Sequence, residues 1–184
     1  MKKIAILVVD MLNDFVTGIL KCDRGLAIVP HLSSLLDNAR KYNIAIIFCN
    51  DCHDANDHEL SLWGPHAMRG TDGAKIIPEL KYDNNKDIVI DKHVYSGFFK
   101  TNLDDILKKL GVDTVVITGL HAHMCCRHTA ADAYQNGYDV VVATDCTDSF
   151  TLENYELGIK YLKEVYGAKL LTSKELIQMK FNLN

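Results

Sequence analysis

No apolar run in the 184 residues is long enough to cross a membrane or to act as a secretory leader: the first, residues 4–9, is closed by Asp10, Asn13 and Asp14. A cytoplasmic protein without a membrane partner is expected. Clustered lysines and arginines are lacking too. With a formal net charge of -4 and scattered cations, the chain offers nucleic acid no basic surface. Internal repeats and low-complexity tracts are absent, so the simplest organisation is a single domain over residues 1–184, large enough to bury a sizeable core without staples. A disulfide framework is also missing. The six cysteines include the vicinal pair Cys125-Cys126, and several lie beside histidines or acids, which suits reactive or metal-linked thiols better than cross-links. Cys22 and Cys146 read as ordinary buried or loop thiols.

What is present is an alternation. Short apolar or β-branched runs at 4–9, 44–48, 88–90, 114–118, 139–143 and 168–171 read as strands. Helical spacing follows at 30–42, 102–110, 124–136, 152–165 and 173–179, with Gly111 and Asn136-Gly137 as stop signals. Residues 54–80 are polar and carry Gly64-Pro65, Gly70, Gly73 and Pro78. They read as a long functional loop, a wall or lid with one helical turn near Lys75. Strands alternating with helices predict an α/β fold, a three-layer α/β/α sandwich around a six-stranded parallel, doubly wound sheet.

In such sheets ligands bind past the carboxyl ends of the strands. Asp10, the Asp51/His53 pair, Lys92 and Cys125 each fall just past such an end. Taken singly, Asp10 also reads as a strand-end cap, Lys92 as a surface lysine and Cys125 as a small packed hydrophobe. Together they make coherent chemistry. A thiol at a helix start, a carboxylate to take its proton and an ammonium to lower its pKa constitute a nucleophile. Backbone N–H groups at that helix start can hold the oxyanion that forms when the thiolate attacks a carbonyl, so the reaction class is acyl transfer to water.

Asp51-x-His53 lets two ligands reach one metal from an extended segment, and His66 in Trp63-Gly-Pro-His66 supplies a third. Two histidines and a carboxylate suit Zn²⁺, Mn²⁺ or Fe²⁺ with positions left open. The same histidines in a polar loop also read as solvent-facing, and His121, His123 and Cys125 form a rival metal constellation that would consume the thiol. Phe15, Trp63 and Tyr95 can wall a small substrate pocket or pack within their loops.

Five motifs in order resemble the isochorismatase-like cysteine hydrolases, the superfamily with nicotinamidases and N-carbamoylsarcosine amidases. They are Asp10 with Asn13-Asp14-Phe15, Asp51-x-His53, residues 63–71, Lys92 with Tyr95-Ser-Gly-Phe98, and Gly119 leading to Cys125 with Thr129-Ala130. The resemblance covers nearly the whole chain. It implies Cys125 as nucleophile, Asp10 as general acid/base and Lys92 as the cation that positions and polarises them. It also implies Asp51, His53 and His66 as ligands of a divalent metal, Zn²⁺ first, that orients a pyridine nitrogen and ordered waters. A cis peptide between Leu120 and His121 is implied as well, with the N–H groups of His121 and Cys125 as the oxyanion hole.

The departures concern substrate. Nicotinamidases carry glutamine at the place of Leu12 and Thr-Asp at that of Ala122-His123; Ala-His resembles the isochorismatases, which have glycine at the place of Cys125. Cys126 reads as packing, because the next helical position turns away from the site. The expected function is a cysteine amidohydrolase that cleaves a small carboxamide or ureido C–N bond through a thioester and releases ammonia, with a small-molecule amide as partner and a homo-oligomer as assembly. An isochorismatase-type ether hydrolase, a binding module without chemistry and a redox sensor built on Cys125 are the alternatives.

Overall fold

A computed structural model describes residues 2–183; the end residues of the expected domain, Met1 and Asn184, lie outside them. Six parallel strands form one sheet: β1 (Ile4–Val9), β2 (Ala45–Asp51), β3 (Ile88–Lys92), β4 (Thr114–Leu120), β5 (Asp139–Asp148) and β6 (Lys169–Leu171), in the order β3-β2-β1-β4-β5-β6. β1 and β4 are buried along their whole length, which is why both are continuous apolar or β-branched runs with no polar alternation. Edge strand β3 instead alternates, with Val89 and Asp91 turned outward.

The two core faces follow from strand periodicity. Ile4, Ile6 and Val8 of β1 pack with Leu32, Leu35 and Leu36 of α2 (Asp23–Lys41) and Leu176 of α7 (Ser173–Gln178). Ala5, Leu7 and Val9 pack with α4 (Leu103–Leu110), α5 (Cys125–Gln135) and α6 (Leu152–Tyr166) through Leu107, Ala130 and Leu162. Helices thus cover both faces of a doubly wound sheet. Sequential order reverses between β1 and β4, and the crevice beyond their carboxyl ends is the switch point where such sheets bind ligands. Among the described residues no helix is long and apolar enough to cross a membrane.

Three expectations need correction. The second helix begins at Asp23, seven residues before the expected start at Pro30, which sits inside it. Its N-cap is Cys22, whose sulfur accepts the Gly25 N–H at 3.2 Å and whose thiol donates to the Ser149 carbonyl at 3.4 Å; a thiol cap carries none of the Ser/Thr/Asp signal. The 54–80 loop has helical turns at α3 (Leu60–Trp63) and at Pro78–Leu80 rather than near Lys75. There the chain makes one hydrogen-bonded turn, the Lys75 N–H donating to the Asp72 carbonyl at 3.2 Å, and is then pinned as the Lys75 carbonyl accepts the Asn13 N–H of α1 (Asn13–Val16) and Ile76 bridges to Leu12.

β5 also outruns its expected end at residue 143. A register shift lets it follow the final turn of β4, with Thr147 opposite Gly119 and Asp148 opposite Leu120. The Thr147 hydroxyl donates to the Gly119 carbonyl at 2.7 Å. Gly119 has φ +95°, and a Cβ there would run into the Val9 carbonyl. We expect Gly119→Ala to lower stability by about 2–4 kcal/mol, read as a fall in the urea midpoint at unchanged slope; a midpoint within error of wild type would show that β1 and β4 can separate at no cost.

Candidate active site

Each of the three central side chains is placed by a strand end. Asp10 leaves β1 with φ +52°, and its Oδ1 accepts the Asp51 backbone N–H at 2.8 Å. Lys92 ends β3 opposite Asp51 in the register and extends inward, setting its Nζ 2.5 Å from Asp51 Oδ1 and 2.8 Å from Asp10 Oδ2. The side chains of Asp10, Asp51 and Lys92 are at most 1 % exposed. Cys125 opens α5, and its sulfur lies within 4.8 Å of carboxylate oxygens of both Asp10 and Asp51. The structure brings acid, ammonium and thiol into one buried cluster.

The charges set one another. Burial pushes the Asp10 carboxyl up and the neighbouring Asp51 charge adds to it, while Lys92 opposes them, leaving Asp10 at about 7. Burial would also raise Asp51, but Lys92 and His53 bring it down to about 2. Burial lowers a lysine, yet the two carboxylates outweigh it and hold Lys92 well above its ordinary value. The Cys125 thiol is pushed well above its ordinary value by burial, against the pull of Lys92. The ammonium is expected to lower the thiol's pKa; here desolvation outweighs that pull and favours the protonated thiol, which needs a base.

The turn that leads into Cys125 leaves two backbone N–H groups open. The peptide from Leu120 to His121 is cis. Met124 and Cys126 donate their N–H groups to the His121 carbonyl at 2.9 and 3.2 Å, and Ala122 donates to the Asp148 carbonyl at 2.9 Å. The N–H groups of His121 and Cys125 have no partner among the described residues. Gly158 of α6 backs the turn, since a Cβ there would come within 2.6 Å of the Ala122 carbonyl carbon.

Beside the cluster, ligand atoms of Asp51, His53, Glu59 and His66 all lie within 4.8 Å of one another. Asp51 Oδ2, His53 Nε2, Glu59 Oε2 and His66 Nε2 are buried and have no hydrogen-bond partner. Both imidazoles present a lone pair inward. His66 Nδ1 lies 2.8 Å from the Gly64 carbonyl, an acceptor only, so the proton sits on Nδ1; His53 Nδ1 is held likewise by the Asp57 carboxylate at 3.0 Å. Four orphaned donors aimed at one point suit a divalent cation of borderline hardness. Glu59 went unread because an acid in a polar loop looks solvated; its signal is Trp63 four residues on, which places both on one face of a helical turn.

The remaining expected residues separate. A small cavity of about 10 Å³, room for about one water, is lined by Phe15, Trp63, Met124 and Phe150 together with Asp51, Glu59, His66, His121, Cys125 and Leu20. Tyr95 is not among them. It lines a larger outer cavity of about 640 Å³ with His93 and Leu62, where its hydroxyl accepts the Trp63 Nε1–H at 3.0 Å; it braces the wall instead of forming it. The rival constellation is not assembled, since His123 Nδ1 pairs with the Ser149 hydroxyl at 3.0 Å. Cys126 turns under the helix, its thiol 3.6 Å from the Thr118 carbonyl.

The chain belongs to the isochorismatase family of hydrolases: residues 4–175 match the Isochorismatase domain. An N-carbamoylsarcosine amidase from Thermoplasma acidophilum is 38% identical, with a TM-score of 0.87 over 93% of this chain and 96% of that one. The pyrazinamidase of Pyrococcus horikoshii, solved in complex with zinc, is 28% identical, with a TM-score of 0.85 over 92% of this chain and 99% of that one. A probable inactive nicotinamidase of Arabidopsis thaliana is 32% identical over 93% of each chain.

Removing the cation should expose the cost of the buried acids. We expect Lys92→Met to lose about 3–5 kcal/mol of stability above pH 7, where two carboxylates are left unpaired in the interior. The deficit should shrink as pH falls and Asp10, already raised to about 7, takes up a proton instead. Urea unfolding at pH 5.5 and 8 reads the difference; a pH-independent deficit would mean that the lysine stem, not its charge, is what matters.

Proposed function

We propose that the chain is a cysteine amidohydrolase for a small, uncharged carboxamide of the nicotinamide type. The observation that carries this reading is the Asp10–Lys92–Asp51 ion-pair chain buried against the Cys125 thiol. Asp10 takes the thiol proton as the sulfur attacks the amide carbonyl, and the oxyanion lies against the N–H groups of His121 and Cys125. As the C–N bond breaks, Asp10 returns that proton to the nitrogen and ammonia leaves. Asp10 next takes a proton from water, which attacks the thioester carbonyl; the thiolate departs and recovers the proton. Lys92 stays charged throughout and keeps Asp10 within range of neutral pH.

Asp51, His53, Glu59 and His66 would hold the metal, Zn²⁺ by ligand type, with Mn²⁺ or Fe²⁺ also suited. When bound it supplies a Lewis-acidic contact that orients the substrate. With Asp10, Asp51 and Glu59 against Lys92, a divalent cation brings the formal charge of the site to zero. The cavity lining contains no lysine or arginine to meet a substrate carboxylate, which favours nicotinamide over N-carbamoylsarcosine, although the 38% identity to an N-carbamoylsarcosine amidase keeps ureido compounds as the second substrate class. A single domain over 1–184, a cytoplasmic location and a homo-oligomer complete the reading.

Ammonia release from nicotinamide, pyrazinamide, N-carbamoylsarcosine and aliphatic amides tests it. Release should vanish in Cys125→Ala, and kcat/KM should fall about tenfold per unit below pH 7 as Asp10 protonates; a metal that neutralises Asp51 moves that limb to lower pH. Release that survives in Cys125→Ala would end the thiol mechanism. Chelation should raise KM by tenfold or more while leaving the rate of Cys125 alkylation by iodoacetamide within about twofold. Equal loss of both would place the metal in the attack itself.

A further inference from the structure

His121 enters the proposed mechanism only through its backbone N–H. Its side chain is 2 % exposed, and both ring nitrogens are buried without a partner. Most buried polar atoms in proteins are satisfied, and an orphan is costly. The ring is held firmly: it stacks on Phe150 at 3.9 Å between centroids and meets the Phe15 ring edge-to-face at 6.2 Å. Phe15 also packs edge-to-face on His66 at 5.5 Å. The cavity beside Cys125 therefore has two polar corners joined by one apolar ring, the metal-suited corner with His66 and a second formed by His121 alone. Burial, with the nearby His123, keeps this imidazole at about 3, so it presents one N–H donor and one nitrogen lone pair, not a cation.

Resting on the amidohydrolase reading, we propose that the His121 side chain is the specificity-determining residue of this site. It takes the hydrogen bond of a neutral polar group carried by the acyl part of the substrate. The substrate class is then a small planar carboxamide with a second uncharged hydrogen-bonding substituent, such as a ring hydroxyl, amino group or additional ring nitrogen. Sites built to hydrogen-bond a substrate group reject analogues that lack it, because the protein group is then left unpaired.

The test compares matched amides: pyrazinamide against nicotinamide, and hydroxy- or amino-nicotinamides against their methyl counterparts. In wild type at least one polar member should exceed its apolar partner by about 10–100-fold in kcat/KM. The ratio should fall to within threefold of one in His121→Leu and recover in part in His121→Asn. A merely structural histidine would behave differently in one further respect. Because His121→Leu removes two orphaned nitrogens, its melting temperature should equal or exceed that of wild type, whereas a structural role predicts a fall.

Calorimetric binding of the same pairs to Cys125→Ala, with and without the His121 changes, separates the two readings. Discrimination in binding that disappears with His121→Leu supports the proposal even if no amide is hydrolysed, an outcome that would sink only the reaction. A ratio unchanged by His121→Leu, or no discriminating pair in either assay, overturns it.

Discussion

The buried ammonium of Lys92 is the constraint on which the carboxyl edge of this sheet depends. Asp10 and Asp51 stand at adjacent strand ends, and their repulsion in a dry interior is relieved by a cation within 2.8 Å of both. That cation comes from the edge strand, one strand beyond Asp51, so the long stem of lysine is used to reach inward. Placement then depends on the loop that follows β3. Ser96 donates to Asp132 at 2.5 Å, and the Gly97 N–H reaches the Thr129 hydroxyl at 3.0 Å, which ties that loop to α5. Acid, ammonium and thiol are held in register by two covalently distant segments.

The same edge needs a turn that presents N–H groups instead of consuming them. Extending β5 past its apolar run makes this possible, because Asp148 and Thr147 occupy the backbone groups of Ala122 and Gly119. Arg24 reaches Asp148 at 2.8 Å from the start of α2, fixing the strand extension from the far side of the sheet. Support of this kind leaves the N–H groups of His121 and Cys125 open to a ligand, which is the preorganisation that the proposed acyl transfer requires.

Much of this was legible in the sequence where burial and chemistry coincide. β1 is dry on both faces, so its boundary falls at the first polar residue, Asp10, whereas β4 runs through Thr118 and Gly119 to Leu120, two residues past its expected end. Legibility failed where polar side chains substitute for apolar ones. The second half of β5 runs through Thr144, Asp145, Thr147 and Asp148, a strand held by side-chain-to-backbone bonds with no hydrophobic period. The start of α2 hides behind a cysteine cap. Glu59 shares its loop with Asp54 and Asp57, and its spacing to Trp63 is the one sequence feature that sets it apart from them. Tyr95 follows Lys92 closely enough to suggest the pocket, yet its hydroxyl holds the outside of the Trp63 wall.

The thiols show why position, not intrinsic acidity, singles out Cys125 as the proposed nucleophile. Burial pushes Cys49 and Cys126 up to about 12, opposed by Lys92 at Cys49 and first by the Thr147 hydroxyl, then by Lys92, at Cys126, and Cys125 is raised by burial against the pull of Lys92. None of the three is poised as a thiolate, so electrostatics alone would not tell Cys125 from its neighbour. What distinguishes it is its sulfur within 4.8 Å of the Asp10 carboxylate and its own N–H left open at the start of α5, whereas the Cys126 thiol points to the Thr118 carbonyl. A protonated resting thiol is protected from adventitious oxidation and alkylation. In the proposed mechanism it becomes a nucleophile only as Asp10 removes its proton, so reactivity is confined to the moment when a carbonyl lies between the sulfur and the two open N–H groups.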